Sequence, residues 1–150
     1  MNWWLELWAA PAALGFAVLF NVPPRTLGWA CLLAVAGHAL RRAMQLAGCD
    51  IVLGTLVAAL LIGFVAEWWG RRNRQASPVY AVCAAIPMVP GTPMYQAVQA
   101  LLGIAGADSA DVAGQYLISA GVSVVRASMI LLALALGIAA PALLWPRRAR

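Results

Sequence analysis

The sequence predicts an all-α fold: a polytopic integral membrane protein with about five transmembrane helices in a single domain that covers residues 1–150. Of these residues, 64% are hydrophobic and only 10% are charged, whereas about a quarter of the residues in a soluble domain are charged. This composition excludes a soluble globular fold. A spanning helix needs roughly 20 apolar residues, so the chain is long enough for five spans.

The reactive side chains give no sign of catalysis or of a bound cofactor. The three cysteines are an odd number without a CxxC pair, and this predicts neither a disulfide framework nor a metal site. The chain contains no GxSG or HExxH motif, either of which would set a nucleophile or a metal beside a base. We therefore expect a protein that is not an enzyme, with no catalytic residue, no metal and no cofactor.

The first three predicted spans begin after the N-terminus and lie close together: residues 3–20, 27–47 and 51–69. The first contains Glu6 and Pro11 and stops at Pro23 and Pro24, which a helix interior does not tolerate. The second carries polar residues in its later half. The third is the most uniformly apolar, and it follows Asp50, a residue type favoured at the N-cap of a helix.

The last two predicted spans are residues 79–103 and 112–144. The fourth contains a cluster of helix-breaking residues: Pro87, Pro90, Gly91 and Pro93. These cannot all lie inside one continuous helix, so we expect this span to be broken near residues 87–93. The fifth carries Arg126 near its middle.

The arginines predict the orientation of the chain. With five spans, seven arginines fall on one side of the membrane, and the loops on the other side carry aspartates and no arginine. The positive-inside rule makes the arginine-rich side cytoplasmic, so the N-terminus is expected outside and the C-terminus inside. The seven arginines are Arg25, Arg71, Arg72, Arg74, Arg147, Arg148 and Arg150. In a membrane protein this excess of basic charge encodes topology, and we expect no nucleic acid partner. Tryptophans occur near the predicted span ends, as in interfacial belts: Trp3, Trp4, Trp8, Trp29, Trp68, Trp69 and Trp145.

The second span carries a polar stripe. His38, Arg41, Arg42 and Gln45 are spaced i, i+3, i+4 and i+7, which places them on one helix face. Ionisable residues inside a membrane are candidates for substrate or proton binding. Alternatively, the helix ends near Leu40 and the arginines lie at the membrane boundary. His38 is either a proton carrier or a neutral imidazole hydrogen-bonded between helices.

The fifth span carries a second stripe, formed by Gln115, Ser119, Ser123 and Arg126, again on one face. An unpaired charge at mid-bilayer costs at least about 2.5 to 3.5 kcal/mol. Arg126 therefore needs an anion or water, supplied by an anionic substrate, an aqueous cavity or a structural ion pair.

The broken fourth span predicts a second half-helix. Thr92 is suited to the N-cap and Pro93 to the first helical position, and Tyr95, Gln96 and Gln99 continue the polar face. A helix N-terminus favours a carboxylate, and discontinuous helices form substrate sites in secondary transporters. The alternative is a proline kink satisfied by neighbouring helices.

Two further patterns predict packing and capping. Ala59 and Gly63, like Ala133 and Gly137, form small-xxx-small pairs that allow close helix contacts. Glu67 and Asp50 lie at span ends, where we expect them to cap or pair rather than to bind a ligand.

Three segments carry a family resemblance: FNVPPR after the first span, GHALR at residues 37–41 and IPMVPG at residues 86–91. In this order and with this span layout, they resemble the threonine/serine exporter (ThrE) family and, within it, the small YjjB-type subunit. The resemblance covers nearly the whole chain. The residues at matching positions are Asn21, Pro23, His38, Arg41, Pro87, Pro90 and Gly91.

The resemblance implies one half of a bacterial inner-membrane exporter. It implies a substrate that is a small carboxylate-bearing metabolite, either threonine or serine or a succinate-like dicarboxylate. It also implies a larger YjjP-type partner subunit, coupling to protons, a periplasmic N-terminus and a cytoplasmic C-terminus.

Motifs and polar stripes together give one set of expected substrate-binding residues, in which His38 is also the proton-coupling candidate: His38, Arg41, Pro87, Pro90, Gly91, Thr92, Tyr95, Gln96, Gln99, Ser123 and Arg126. We expect a transporting subunit, and two alternatives to it remain open. The chain is a non-transporting scaffold or assembly subunit, or it is a homo-oligomeric channel.

Overall fold

A computed structural model describes residues 4–73 and 77–144. The secondary-structure elements in these two ranges are all helical, as predicted: α1 (Trp4–Leu7), α2 (Ala9–Leu19), α3 (Pro24–Leu46), α4 (Ile51–Asn73), α5 (Ser77–Ala85), a 3₁₀ turn (Ile86–Met88), α6 (Gly91–Ala105) and α7 (Ala110–Leu144). Some of the predicted interfacial and topogenic residues lie outside the described ranges: Trp3, Arg74, Trp145, Arg147, Arg148 and Arg150.

Of the helices in the two described ranges, two are long and apolar enough to cross a membrane. They are α4 and α7, which correspond to the predicted third and fifth spans. Asp50 caps α4, because its Oδ2 accepts a hydrogen bond from the Val52 backbone N–H at 2.8 Å. This confirms the sequence-based prediction that Asp50 caps a helix.

The predicted first span is divided into α1 and α2 at Trp8. Pro11 explains the position of the break. It has no backbone N–H to donate to the carbonyl of Leu7, and its ring crowds that same carbonyl. The helix resumes at Ala9 because proline is tolerated within a first turn.

Helices α2 and α3 each end in a left-handed residue. At the end of α2, Asn21 has a φ of 55° and the Val22 N–H donates to the Ala17 carbonyl. Gly48 has a φ of 86° and occupies the equivalent position after α3. Asparagine and glycine are the residues that adopt this conformation most readily. This preference explains why an asparagine occupies position 21 in the FNVPPR segment.

The predicted fourth span forms two α-helices. α5 ends at Ala85, the 3₁₀ turn follows, and α6 begins at Gly91 with Pro90 at its N-cap position. The Met94 N–H donates to the Pro90 carbonyl at 3.2 Å.

The chain divides into two compact units. One contains the residues up to Val89 together with those from Ala133 on, and the other is Pro90–Leu132. The core of the first unit is built largely of small side chains, which let its helices approach closely. The alanines at 0% exposure are Ala13, Ala17, Ala30, Ala34, Ala58, Ala59 and Ala84.

In the first unit, the C-terminal part of α7 packs tightly on α4. A Cβ atom on Gly63 would lie 2.6 Å from the Gly137 carbonyl oxygen, and one on Gly137 would collide with the Cβ atom of Ala59. The two small-xxx-small pairs therefore mark a helix contact, as predicted. Trp29 of α3 also packs against Trp69 of α4, with ring centroids 4.1 Å apart.

Candidate functional site

The predicted site residues form two groups, one in each unit. His38, Arg41 and Pro87 belong to the first unit, and the residues from Pro90 to Arg126 belong to the second.

The first group centres on a buried carboxylate. Glu6 of α1 is 9% exposed. Its Oε2 lies 3.2 Å from Nδ1 of His38, and its Oε1 lies 3.3 Å from Nη1 of Arg42. Both partners come from α3, so this one carboxylate joins the N-terminal helix to the polar stripe of α3.

Arg41 connects α3 to the 3₁₀ turn. Its Nη1 donates a hydrogen bond to the Met88 carbonyl at 3.0 Å. A charged donor is well suited to the carbonyls that a short helix leaves without an internal partner. Residues of the GHALR and IPMVPG segments therefore meet in space, although they are 47 positions apart.

The first residue of the GHALR segment is a glycine because the helices approach closely there. A Cβ atom on Gly37 would lie 2.6 Å from Cδ1 of Ile62 in α4 and 3.4 Å from Sδ of Met88. A side chain at this position would displace the end of the Ile62 side chain, whereas 3.4 Å from Met88 is an ordinary contact.

The structure decides against a helix that ends near Leu40, because α3 continues to Leu46. Continuous helix through Arg41 and Arg42 keeps both arginines on the stripe with His38. His38 of α3 forms a hydrogen bond with Glu6 of α1. A hydrogen bond between helices was one of the two predictions for this residue. Its Nε2 is buried and makes no hydrogen bond, and the Pro87 carbonyl lies beside the ring.

Sequence reasoning missed Glu6 as a member of this group. It was visible only as an interruption of the first apolar span. An acidic side chain in such a run has a high desolvation cost and needs a partner, and that was the one available signal. The other two acidic residues at span ends behave as expected: Asp50 caps α4, and Glu67 pairs with Arg71 at 2.9 Å.

The second group lines an open cavity of about 720 Å³ between α6 and α7. Polar side chains from both helices face it, together with Tyr116, which the sequence analysis did not select. The lining residues are Gln96, Gln99, Ala100, Gly103, Tyr116, Ile118, Ser119, Val122, Ser123 and Arg126. Parts of the stripes predicted on the two helices therefore face one space; the stripe residues that do not line it are Thr92, Tyr95 and Gln115.

Arg126 is the only positive charge in this unit, and neither Asp108 nor Asp111, its acidic residues, pairs with it. Among the described residues, all ion pairs are formed by Glu6 and Glu67. The guanidinium is exposed and presents its donors to the cavity. Such a group can bind a carboxylate through two parallel hydrogen bonds.

A glycine on α6 leaves room for the ring of Tyr116. A Cβ atom on Gly103 would lie 2.7 Å from ring carbons of Tyr116, so the absence of a side chain at this position allows the ring to lie on the cavity wall. On α6, the side-chain amide of Gln99 donates to the Tyr95 hydroxyl at 2.9 Å. Tyr95 thus orients a cavity residue without lining the cavity itself.

The prediction that Thr92 caps the second half-helix is wrong. α6 begins at Gly91, Pro90 is its N-cap residue, and no side chain caps it. Pro93 does not force a later start, because the N–H groups of a first helical turn have no intrahelical partner in any case. Pro90, Gly91 and Thr92 do not line the cavity.

The described residues contain no group of three or more His, Cys, Asp or Glu side chains that could hold a metal ion. What they do contain is a set of apolar helices, a buried polar cluster and a polar cavity with an unpaired arginine. This combination is typical of an α-helical membrane protein.

The family model of the threonine/serine exporter ThrE matches residues 6–144, and the chain belongs to this family. Proteins of this description are transporters, which move a substrate across a membrane without changing it chemically. None of the solved structures matches the chain.

Proposed function

We propose that this chain is one subunit of a secondary transporter that exports small carboxylate-bearing metabolites, and that Arg126 binds the substrate carboxylate in the cavity between α6 and α7. The substrates are threonine and serine, or a succinate-like dicarboxylate. The observation that carries the proposal is an arginine without an ion pair at the middle of an apolar helix, facing a polar cavity.

The chemistry around Arg126 suits such a substrate. A guanidinium binds a carboxylate in a bidentate manner. The hydroxyl of Ser123 and the amides of Gln96 and Gln99 can donate to or accept from the polar groups of an amino acid or a second carboxyl group. The cavity has room for a small metabolite, since drug-sized ligand sites have volumes of about 300 to 1,000 Å³.

The open side of the cavity supports a second subunit. Arg126, Gln96 and Gln99 are all exposed in the single chain, and charged groups in a membrane face protein or water rather than lipid. We propose a larger YjjP-type subunit as the partner that closes the cavity. His38 and Arg41 already have partners inside the chain, so we assign the carboxylate to Arg126 rather than to them.

We place the complex in the bacterial inner membrane, with five spans in this chain. α4 and α7 are two of the spans. The first span consists of α1 and α2, the second is α3, and the fourth consists of α5 and α6. The positive-inside rule then gives a periplasmic N-terminus and a cytoplasmic C-terminus. Proton coupling and alternating access complete the proposed transport cycle.

The test is efflux of radiolabelled threonine, serine and succinate from cells that express this chain alone, or with a YjjP-type partner. Arg126→Gln is compared with Arg25→Gln, which removes the same charge from an exposed position at the start of α3. A hydrogen bond to a charged group contributes about 1.5 to 3 kcal/mol. We therefore expect substrate affinity to fall roughly ten- to a hundredfold in Arg126→Gln and to stay unchanged in Arg25→Gln.

Pull-down of the partner controls for assembly. Efflux that requires both chains and is lost in Arg126→Gln, while the complex still assembles, supports the proposal. Normal efflux in Arg126→Gln would refute the assignment of Arg126. Efflux from this chain alone would indicate a homo-oligomer, and loss of assembly together with efflux would indicate a scaffolding function for the polar stripe.

A further inference from the structure

The cluster of Glu6, His38 and Arg42 has no part in the carboxylate site around Arg126. It nevertheless brings two titratable side chains into direct contact inside the first unit, where Glu6 and His38 expose 11% and 16% of their side chains. Buried ionisable groups in membrane proteins are costly, and where they occur they commonly form proton relays.

The contact between the two side chains fixes the position of one proton. Nδ1 of His38 lies 3.2 Å from Oε2 of Glu6, and a carboxylate can only accept. With Glu6 ionised, Nδ1 therefore carries a hydrogen and donates it. The neutral imidazole then has its lone pair on Nε2.

Nε2 is the atom at which a further proton can be taken up. It is buried and has no hydrogen-bond partner, and the Pro87 carbonyl lies beside the imidazole. A proton delivered by water to the Nε2 lone pair forms an imidazolium without breaking the bond to Glu6. The new N–H needs an acceptor, and the backbone carbonyl beside the ring is that of Pro87.

The surrounding charges define two states of the cluster. Facing the pair from α3 are Arg41 and Arg42, and α2 contributes no charged residue. The 3₁₀ turn contributes only backbone carbonyls. Tyr80 of α5 is engaged with the Ala66 carbonyl of α4, and Glu67 of α4 with Arg71. The net charge of Glu6, Arg41, Arg42 and His38 together is +1 when the imidazole of His38 is neutral and +2 when it is an imidazolium.

Protonation of His38 would change the hydrogen bonds of the 3₁₀ turn, which lies between α5 and α6. Pro87 and Met88 belong to the 3₁₀ turn, and the Met88 carbonyl already accepts a hydrogen bond from Arg41. A second hydrogen bond, from Nε2 to Pro87, tightens the same turn against α3. Loss of the proton releases it.

We propose that Glu6 and His38 form the proton-binding site that couples transport to a proton gradient, with Nε2 of His38 taking up the proton and Glu6 holding the ring through Nδ1. The inference rests on the proposed function, because coupling has meaning only if the chain transports. It adds Glu6 as a positioning residue and separates the proton site from the carboxylate site.

Nuclear magnetic resonance can test proton binding without any transport assay. His38 is the single histidine of the chain, so the imidazole signals of the full-length chain labelled with ¹⁵N-histidine in lipid nanodiscs all belong to it. We expect a neutral form with its hydrogen on Nδ1 and one protonation step at Nε2. Glu6→Gln should shift the midpoint of this step by about one pH unit or more. Glu67→Gln, the matched loss of another buried glutamate, should leave it unchanged.

Two results would overturn the proton site. One is a neutral ring with its hydrogen on Nε2, and the other is a midpoint that Glu6→Gln does not move. If Glu6→Gln fails to fold, the protonated nitrogen of the wild-type ring and the Glu6→Asp variant, which keeps the carboxylate, still decide the question.

Transport measurements test the coupling. In vesicles that contain both subunits, Glu6→Gln and His38→Gln should lower gradient-driven efflux of threonine at least tenfold. Both variants should retain threonine counterflow, an exchange that needs no net proton movement. Gradient-driven efflux that survives in these variants, or wild-type efflux that a protonophore leaves unchanged, would overturn the coupling role while the proposed function stands. Absence of efflux of threonine, serine and succinate in the wild type would instead refute the proposed function and, with it, the coupling role.

Discussion

Replacement of Gly137 by alanine tests the contact between α4 and α7. The added Cβ atom would collide with the Cβ atom of Ala59 and lie 2.9 Å from two backbone atoms, the carbonyl carbon of Ala59 and the nitrogen of Leu60. Ordinary contacts of a Cβ atom begin at 3.4 Å. The helices would therefore have to move apart by at least about 0.5 Å at this contact.

Backbone atoms cannot change rotamer, so the clash is not relieved locally. Overpacking of this kind costs about 1 to 3 kcal/mol. For a chain of this size, 1 kcal/mol corresponds to about 2 to 4 °C in Tm, so we expect Gly137→Ala to melt about 2 to 12 °C below its control.

The matched control is Gly121→Ala on the same helix. A Cβ atom at Gly121 would meet no atom within 4 Å. Both variants gain the higher helix propensity of alanine, about 1 kcal/mol, so the difference between them isolates the clash. Thermal unfolding of the purified chains in one detergent measures it. Equal Tm values for the two variants would refute the close approach of α4 and α7.

Three further variants test other details of the structure. Asp50→Ala removes the acceptor for the Val52 N–H and should cost about 1 kcal/mol of unfolding free energy, whereas Asp50→Asn should cost little; equal stabilities would contradict the cap. Asn21→Val should cost about 1 to 2 kcal/mol because Asn21 is left-handed, and Asn21→Gly, compared by the same melting experiment, should be tolerated. Gly103→Ala should push the Tyr116 ring out of place and weaken substrate binding in equilibrium binding measurements, whereas Gly114→Ala, with open space around its Cβ position, should not.

The elements that the sequence predicts best are governed by local chemistry. α4 and α7 are long apolar runs, and the Asp50 cap depends on residues two positions apart. Asn21 and Gly48 were not predicted as helix ends, although they too act through their own backbone preferences. The small-xxx-small pairs could also be selected from the sequence, because spacing alone reveals a face that can approach another helix.

Other features depend on contacts between distant parts of the chain. Glu6 and His38 are 32 positions apart, and nothing in either local sequence selects this pairing over others. The start of α6 was misplaced for a different reason. The N-cap preference of threonine is worth only about 1 kcal/mol, and the backbone can begin a helix at Gly91 without any side-chain cap.

The length of α7 has a consequence for Arg126 that does not depend on how deeply the helix sits in the membrane. The helix has 35 residues, which at 1.5 Å each extend over about 52 Å, while the hydrocarbon core is about 30 Å thick and takes up about 20 residues. Every stretch of 20 consecutive residues within 110–144 contains residues 125–129. Sliding α7 along its own axis therefore cannot move Arg126 out of the apolar layer, and tilting the helix only lengthens the immersed stretch.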